Sequence, residues 1–396
     1  MSLKPVDASK QHTIRIAFLD VGQGDTSVIT CPETREAIVI DCIDEKAVLA
    51  YLAQEGVTHL RGIIITHLHS DHYLKALKLF HHTQPGLGEC ERLCFNPLVK
   101  NRKLRETLVR DKDKHSSDSQ GDNKARVTAY ENLLEAIRRH KSRFRRIFEQ
   151  DDYPLPIQGD LAQFIKVIHP HSADFESLLA TKELNNSSVV LHIASHDSSA
   201  LLMGDLEPAG FEVLHDNHPD LQANVVKMPH HGGGWTQSET TRLLNQTQPS
   251  VVVISVGTTS RGGMHVDKSN RYGHPTDGVF EALSEWKREQ QPLHLLCTQA
   301  TSQCKAALLD ASQRATVRDA LLKLYRIQAN RVGRKMIGSK KGCPCAGTVV
   351  IELVDQVNVL QPTLPFHHNV IIKHLTEHRC HLPAVIDRSQ TDNAHS

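Results

Sequence analysis

The stretch that decides the fold is Thr66-His67-Leu68-His69-Ser70-Asp71-His72. It follows the apolar run Gly62-Ile63-Ile64-Ile65, which is too short for a helix and is typical of a buried strand. On the turn after such a strand, His67 and His69 can face one point while Asp71 and His72 face a neighbouring one. Imidazole and carboxylate are ligands for Zn, Mn and Fe, and two such ions about 3.5–4 Å apart serve phosphate-ester cleavage. Four ligand-type side chains in six positions predict a metal site rather than a chance cluster among 26 histidines.

The bulk composition fits a large folded protein and excludes few functions. A length of 396 residues fits two or three domains, or one large α/β core with insertions. The 46 basic and 45 acidic side chains nearly cancel, so attraction of a polyanion has to come from local patches. No apolar run approaches the ~18 residues of a membrane span, and no signal peptide is visible. The nine cysteines are scattered and the Cys343-Pro344-Cys345 spacing is poor for a zinc ribbon, which favours ordinary thiols in a cytoplasmic protein.

Ligand-type residues recur where later strands end. Apolar runs predict strands at 13–19, 26–30, 37–40, 63–65, 164–168, 189–194, 200–203, 223–228, 251–256, 293–297 and 348–354. Three of these strands run into Asp41, Gly204-Asp205 and His230-His231. Two strand-rich halves that each deliver such residues predict two sheets covered by helices, with a site where their edges meet.

Helical periodicity predicts the covering layers. Helices are expected at 44–54, 73–81, 124–150, 236–245, 276–287 and 315–327, and a further one begins at Pro208. Residues 84–160 are interpreted as a helical basic insertion and residues 298–346 as a second insertion. Residues 390–396 are expected to be a frayed tail. We predict a single domain over residues 1–396 that contains these segments.

Two basic runs lie in the insertions. Arg138, Arg139 and Arg143 belong to the first run, within 138–146, and the second run covers 331–341. Such runs suit contact with a phosphate backbone, which would make nucleic acid a partner. The alternative is a solvated helix face, which is the usual setting of a charge run.

The motifs together resemble the metallo-β-lactamase superfamily, and within it the hydrolase domain of ComEC-type competence proteins. Five motifs carry the resemblance: Asp20-Val21-Gly22-Gln23-Gly24-Asp25, Thr66 to His72, Gly204-Asp205, His230-His231-Gly232 and Asn270 to Pro275. The resemblance covers roughly residues 12–82, 160–297 and 347–354 and leaves both insertions outside it. It implies an αββα sandwich with two inserted segments and two divalent metal ions, Zn or Mn, at its edge.

The resemblance also implies two sets of metal ligands that share one carboxylate. The first set is His67 and His69, the second is Asp71, His72 and His231, and the shared carboxylate is Asp205. Asp71 is assigned a catalytic role as well. Adjacent residues at a strand end point to opposite sides, so only one of His230 and His231 should bind a given metal. We expect that residue to be His231.

Four further side chains are expected beside the ligands. Asp25 and Asp41 would be ligands or carboxylates that orient metal-bound imidazoles, and for Asp41 the alternative is a solvated residue at a strand end. Many members of the superfamily have another histidine about twenty residues before the bridging aspartate, where this chain has Asn185-Asn186. Because an amide is a weaker ligand than an imidazole, we expect the first metal site to be looser or to fill only with substrate.

The substrate is expected to face histidines at the rim. His230 would face the substrate phosphate, and the resemblance suggests a substrate-facing or acid/base role for His274. The alternative for His274 is a structural turn histidine. Asn270 and Tyr272, on the glycine-rich loop before His274, are candidate substrate-binding residues.

The predicted function is hydrolysis of a phosphodiester, in DNA or RNA, by a metal-bound hydroxide. Because the fold hosts many substrates, a small phosphodiester, an ester or a thioester is the alternative. A third possibility is a non-catalytic regulatory subunit with a vestigial metal site. The two insertions are candidate docking surfaces for a partner protein.

Overall fold

Two β-sheets form the centre of the fold in the computed structural model. The structure describes residues 12–95, 120–147, 155–174, 184–257, 274–289, 293–300, 311–331, 334, 336–338 and 344–372. The strands are β1 Ile14–Phe18, β2 Ser27–Cys31, β3 Glu36–Ile40, β4 His59–Ile65, β5 Arg92–Phe95, β6 Phe144–Arg146, β7 Ile165–His169, β8 Val190–Ser195, β9 Ser198–Leu202, β10 Val225–Lys227, β11 Val251–Ile254, β12 His294–Cys297, β13 Val349–Leu353 and β14 Val357–Gln361.

The two sheets have different strand directions. The first sheet has the order β14-β13-β1-β2-β3-β4-β5-β6, antiparallel from β14 to β3 and parallel from β3 to β6. The second has the order β12-β11-β10-β9-β8-β7, parallel from β12 to β9 and antiparallel at β8 and β7. Parallel strands end at a common edge, so the turns after β9 and β10 lie side by side.

Helices cover the outer faces of both sheets. They are α1 Glu45–Gln54, α2 Ser70–Tyr73, α3 Ala76–Phe80, α4 Gln120–Arg139, α5 Pro208–Asn217, α6 Gln237–Thr247, α7 Asp277–Glu289, α8 Ala311–Arg331 and α9 Leu364–Phe366, and α9 runs into a π-helical turn at His367–Ile372. Among the described helices, none is both long enough and apolar enough to cross a membrane.

Alternation along the strands divides the core into three layers. Ile16 and Phe18 of β1 pack with Leu202 and Val253 in the layer between the sheets. Ala17, between them in sequence, faces the layer under α1, α3 and α4. A third buried layer joins the outer face of the second sheet to α5, α6, α7 and α8. This period-2 pattern confirms the predicted αββα sandwich.

Several predicted boundaries are wrong. The single helix at 73–81 is two short helices, α2 and α3, so Asp71 and His72 lie on one helical turn instead of an open loop. The helix at 124–150 ends at Arg139. Phe144, which lies within that predicted helix, is instead in β6 and packs on Phe80 and Phe95, because pairing with β5 buries this ring in the core.

The predicted insertions contribute to the main fold. Residues 84–160 supply β5 and β6 to the first sheet in addition to α4. In residues 298–346, the helix predicted at 315–327 extends over Ala311–Arg331. After the last predicted strand, β14 forms a further hairpin with β13 that the sequence patterns missed. The tail at 390–396 lies outside the described residues.

Candidate metal centre

Turns from both sheets meet at one edge of the sandwich. His67 and His69 follow β4 and Asp205 follows β9, while His231 follows β10. Asp25 precedes β2, and its backbone N–H donates to the Asp71 carbonyl oxygen at 3.0 Å. Gly24 makes this approach possible, because it has φ +117° and a Cβ there would lie 2.5 Å from that oxygen.

The first group of ligand-type side chains is His67, His69 and Asp205. One ligand atom from each lies within 4.8 Å of the others. His67 Nε2 is 3.5 Å from Asp205 Oδ2. His67 and Asp205 are buried, whereas His69 is half-buried and stands nearer to solvent. This is the pair of histidines expected in the first ligand set.

The second group is Asp25, His72, Asp205 and His231, all of them buried. Asp205 Oδ1 is 3.1 Å from His72 Nε2 and 3.6 Å from His231 Nε2. The two oxygens of Asp205 therefore face the two groups separately. Asp25, expected as a ligand or an orienting residue, is the second carboxylate of this group.

Both groups leave buried polar atoms unused. His67 Nε2, His231 Nε2 and Asp25 Oδ1 have no hydrogen-bond partner within the described residues, and His72 Nε2 and Asp205 Oδ1 have none apart from their own 3.1 Å contact. Leaving a buried donor or acceptor unpaired costs about 1–3 kcal/mol each, and more for a charged group. Divalent cations would use these atoms as ligands, so the residues present fit a metal centre.

Hydrogen bonds on the far side of two imidazoles set their orientation. His72 Nδ1 donates to Asp41 Oδ2 at 2.7 Å, and His231 Nδ1 donates to the Ser255 carbonyl oxygen at 2.7 Å. Because each ring holds a proton at Nδ1, Nε2 is the nitrogen that would bind a cation. Asp41 also accepts from the backbone and hydroxyl of Thr66. Asp41 is 1% exposed and therefore is not a solvated strand-end residue.

The electrostatic setting differs between the groups. Burial, reinforced by neighbouring imidazoles, lowers the pKa of His67 and of His69 to about 4, so both are neutral at pH 7. Burial also opposes charge on His72, but the carboxylates of Asp205 and Asp41 outweigh it and raise the pKa of His72 well above its usual value. In the absence of a cation, His72 therefore holds a proton that a metal has to displace.

Lys227 is a part of the centre that the sequence patterns missed. It is the last residue of β10 and only 2% exposed, and its ammonium forms a buried ion pair with Asp25 Oδ2. Burial acts to raise the pKa of Asp25, but the Lys227 charge outweighs burial and holds that pKa below its usual range. A lysine that ends an apolar strand next to a predicted site was the available signal.

Asp71 lies beside the groups but belongs to neither 4.8 Å cluster. It is half-buried on α2. Burial acts to raise its pKa, yet nearby imidazoles, chiefly His72, lower it. The proposed roles of Asp71 as ligand and catalytic group stay predictions.

The two asparagines have different surroundings. Asn186 Oδ1 accepts from the Gly210 backbone N–H at 2.9 Å, and its carbonyl oxygen is 2.9 Å from His169 Nε2. Asn185 donates from Nδ2 to Glu207 Oε1 at 2.9 Å, while its Oδ1 is buried without a hydrogen-bond partner in the described chain. Asn186 thus serves the fold, and of the two amides only Asn185 has a side-chain oxygen that no described residue pairs with.

The rim of the centre contains His230 and His274. His230 and His231 both have left-handed φ values, 50° and 53°. The His231 side chain is buried, whereas that of His230 is half-buried. The His230 and His274 rings lie 4.8 Å apart. Burial, assisted by His230, lowers the pKa of His274 to about 3. Asn270 and Tyr272 lie outside the described residues.

The predicted arginine contacts divide into two kinds. Arg138 and Arg139 are exposed at the end of α4 and pair with Glu135 at 3.6 and 2.8 Å. Arg143 lies over the Phe80 ring at 4.4 Å and pairs with Glu89 at 3.4 Å. Arg143 is therefore engaged in packing, whereas the other two remain accessible.

The chain belongs to the metallo-β-lactamase superfamily, whose family model matches residues 19–256. This superfamily is generally hydrolytic, and the buried candidate metal site lies within the matched region. Among curated proteins, ComE operon protein 3 of Bacillus subtilis (strain 168) is 26% identical over 288 residues. The match covers 68% of this chain but only 30% of that relative, so the chain spans less than a third of its length.

Three solved structures share low sequence identity with this chain. A hydrolase of the β-lactamase superfamily, AbOPH, shares 13% identity at a TM-score of 0.30, over 48% of this chain and 70% of that one. The short form of human tRNase Z shares 13% identity at a TM-score of 0.30, over 60% and 90%. A diphosphatase of the PhnP family shares 11% identity at a TM-score of 0.31, over 61% and 85%.

Proposed function

We propose that this protein is a metal-dependent phosphodiesterase, and specifically a nuclease that acts on DNA or RNA. The observation that carries the proposal is the position of the Asp205 carboxylate, whose two oxygens face two groups of buried imidazole nitrogens. Two adjacent cations are a common means of cleaving phosphate esters. When bound here, they would supply an activated water nucleophile and offset the charge on phosphate oxygens.

The chain's own residues would orient and complete this centre. Asp41 and the Ser255 carbonyl hold the rings of His72 and His231, so that both Nε2 atoms face inward before substrate arrives. Lys227 holds one oxygen of Asp25 and leaves the other free toward the centre. Such preorganisation avoids rearranging charged groups during the reaction.

At the rim, His230 would contact the substrate phosphate or protonate the leaving oxygen. His274 is neutral at pH 7 because burial lowers its pKa to about 3, so it is suited to hydrogen bonding and not to holding positive charge. The proton donor is therefore assigned to His230. The exposed Arg138 and Arg139 are the accessible part of the predicted backbone track.

The test is incubation of the purified protein with labelled single- and double-stranded oligonucleotides under Mn, Zn, Mg or a chelator. We expect metal-dependent cleavage that disappears with chelator and in the Asp205→Ala variant. Equal cleavage by Asp205→Ala and wild type would overturn the proposal. Turnover of a small phosphodiester, an ester or a thioester, with intact oligonucleotides, would keep the metal-dependent hydrolase and replace its substrate.

The same protein preparation tests whether the site is vestigial. A non-catalytic subunit with a vestigial site should retain little metal after purification and reconstitution. The five buried, unused ligand atoms predict instead that the protein takes up divalent metal.

A further inference from the structure

Glu207 occupies a helix-capping position without capping the helix. It is the N-cap residue of α5, where a side chain commonly accepts from the first-turn N–H groups, yet Glu207 makes no such bond. The first-turn N–H of Gly210 is instead satisfied by Asn186 Oδ1 at 2.9 Å. The Glu207 carboxylate is therefore free for another use.

That carboxylate faces two residues of the centre. Glu207 Oε1 accepts from Asn185 Nδ2 at 2.9 Å and lies 3.4 Å from His230 Nδ1. Asn185 Nδ2 is itself 3.4 Å from His230 Nε2. Glu207, Asn185 and His230 thus form one contact group between the buried centre and its rim.

The contact with Glu207 determines which end of the Asn185 amide faces inward. An amide has an oxygen that can bind a cation and an NH₂ group that cannot. Because Nδ2 is directed to Glu207, Oδ1 points away from it, where it is buried without a hydrogen-bond partner among the described residues. With no acceptor at position 207, the amide could rotate and present its NH₂ group.

The turn that carries Asn185 is hydrogen-bonded to the turn that carries Asp205 and to the turn that carries His67. The backbone N–H of Asp205 donates to Ser188 Oγ at 3.2 Å. The backbone N–H of Val189 donates to the Thr66 carbonyl oxygen at 3.0 Å, at the start of the histidine turn. These bonds tie the Asn185 turn to the turns that carry His67 and Asp205, two members of the group that has the fewest ligands.

We propose that Glu207 is a positioning residue that directs the Asn185 oxygen into the first metal group and holds the His230 ring at the rim. This inference rests on the proposed function and adds a residue to it. The amide is then a usable ligand for the first group. It is usable only while Glu207 accepts its NH₂ group.

The first experiment measures metal binding without substrate, by calorimetric titration of metal-free protein with Mn²⁺ and by the absorption spectrum of bound Co²⁺. We expect Glu207→Ala to weaken the looser of two binding steps by about 10–100-fold, the usual effect of losing a partner that orients a ligand. Glu207→Gln should keep the wild-type affinity and Co²⁺ spectrum, because its carbonyl oxygen can still accept from Asn185.

Two further variants separate positioning from general damage. Glu212→Ala removes another carboxylate from α5, one that pairs with Arg242 at the surface, and should bind metal like wild type. In Asn185→Asp both terminal atoms are oxygens, so orientation no longer matters. Adding Glu207→Ala to that variant should therefore leave metal affinity unchanged.

The second experiment measures steady-state cleavage of a phosphodiester. Glu207→Ala and Glu207→Gln should both lower kcat with little change in KM, since neither places a carboxylate beside His230. Wild-type metal affinity in Glu207→Ala would overturn the positioning role. So would a loss of metal affinity in Glu207→Gln equal to that in Glu207→Ala. If metal binding follows the expected pattern but the wild-type protein cleaves no phosphodiester, the proposed function is overturned and the positioning role of Glu207 stands.

Discussion

The two groups of ligand-type side chains share Asp205 but are built differently. The first group, His67, His69 and Asp205, comes from two turns and includes a half-buried imidazole. The second has four buried members, and Asp41, Ser255 and Lys227 brace three of them from outside. The group with more ligand-type side chains is thus also the one whose side chains have more hydrogen-bond and ion-pair partners around them. We expect the second group to bind a cation more tightly than the first.

The largest expected effect comes from removing what the groups share. Asp205→Ala should eliminate both binding steps and reduce metal-dependent cleavage below detection, because one oxygen of Asp205 serves each group. Metal content by mass spectrometry and oligonucleotide cleavage are the measurements. The control is Asp216→Ala, which removes an exposed carboxylate from α5. If Asp205→Ala retains one full equivalent of metal, the two groups bind metal independently.

The next largest effect is expected on the stability of the protein, and it involves the second group only. Lys227→Met leaves the Asp25 charge buried and unpaired, which should lower the free energy of unfolding of metal-free protein by about 3–5 kcal/mol. Urea unfolding measures it. Saturating Mn²⁺ should reduce the loss, since a cation then faces Asp25.

The matched control for this prediction removes both charges. Lys227→Met combined with Asp25→Asn should recover much of the lost stability, because no unpaired ion remains. A loss below about 1 kcal/mol in Lys227→Met alone would mean that the pair behaves like an exposed one.

A smaller effect is expected from the support of one imidazole. Asp41→Asn can no longer accept from both Thr66 and His72, so the His72 ring loses its fixed orientation. The tighter binding step should weaken by about 10–100-fold while the looser step stays unchanged. Two-site calorimetric titration separates the steps. Equal weakening of both would contradict the assignment of Asp41 to the second group alone.

The smallest expected effect is the change in metal affinity for each pH unit. The raised pKa of His72 means that the metal-free protein holds a proton there, which stabilises it at low pH and is lost as pH rises through that pKa. Metal binding to the second group should therefore strengthen with pH, by at most about tenfold per unit for one displaced proton.

The first group should behave differently in the same titration. The pKa values of His67 and His69 are about 4, so both rings are already neutral and binding there should be nearly independent of pH above about 6. Titrations at several pH values test both statements together. Two binding steps with the same pH dependence would contradict the described electrostatic difference.

Much of the fold followed from local patterns, and the errors have common causes. Strands such as β2 and β9 were predicted within two residues, because apolar runs bounded by turn residues specify them locally. The helix at 124–150 was too long, because the charged run after Arg139 fits a helix as well as a loop. Only pairing with β5 decides that Phe144 is in a strand.

The candidate site divides in the same way. The histidines after β4 could be named because their spacing and position after a strand are local properties. Asp25 was named without a definite role, and Lys227 and Glu207 were not named at all. Their partners are far away in the chain: Lys227 and Asp25 are separated by 202 positions, and Asn185 and Glu207 by 22.

By itself, the sequence predicted two sheets covered by helices and the residue types that could hold a metal, because apolar runs and ligands at strand ends are local features. The αββα order was implied by the resemblance to the superfamily. Only the tertiary structure decided which of those residues face one another. It placed Asp25 with His72 and His231 and directed the Asn186 side chain to the backbone of α5. It left Asn185 Oδ1 without a hydrogen-bond partner among the described residues. The physical reason is that packing of two sheets sets these distances, and unpaired buried charge is compensated only by partners that the fold brings close.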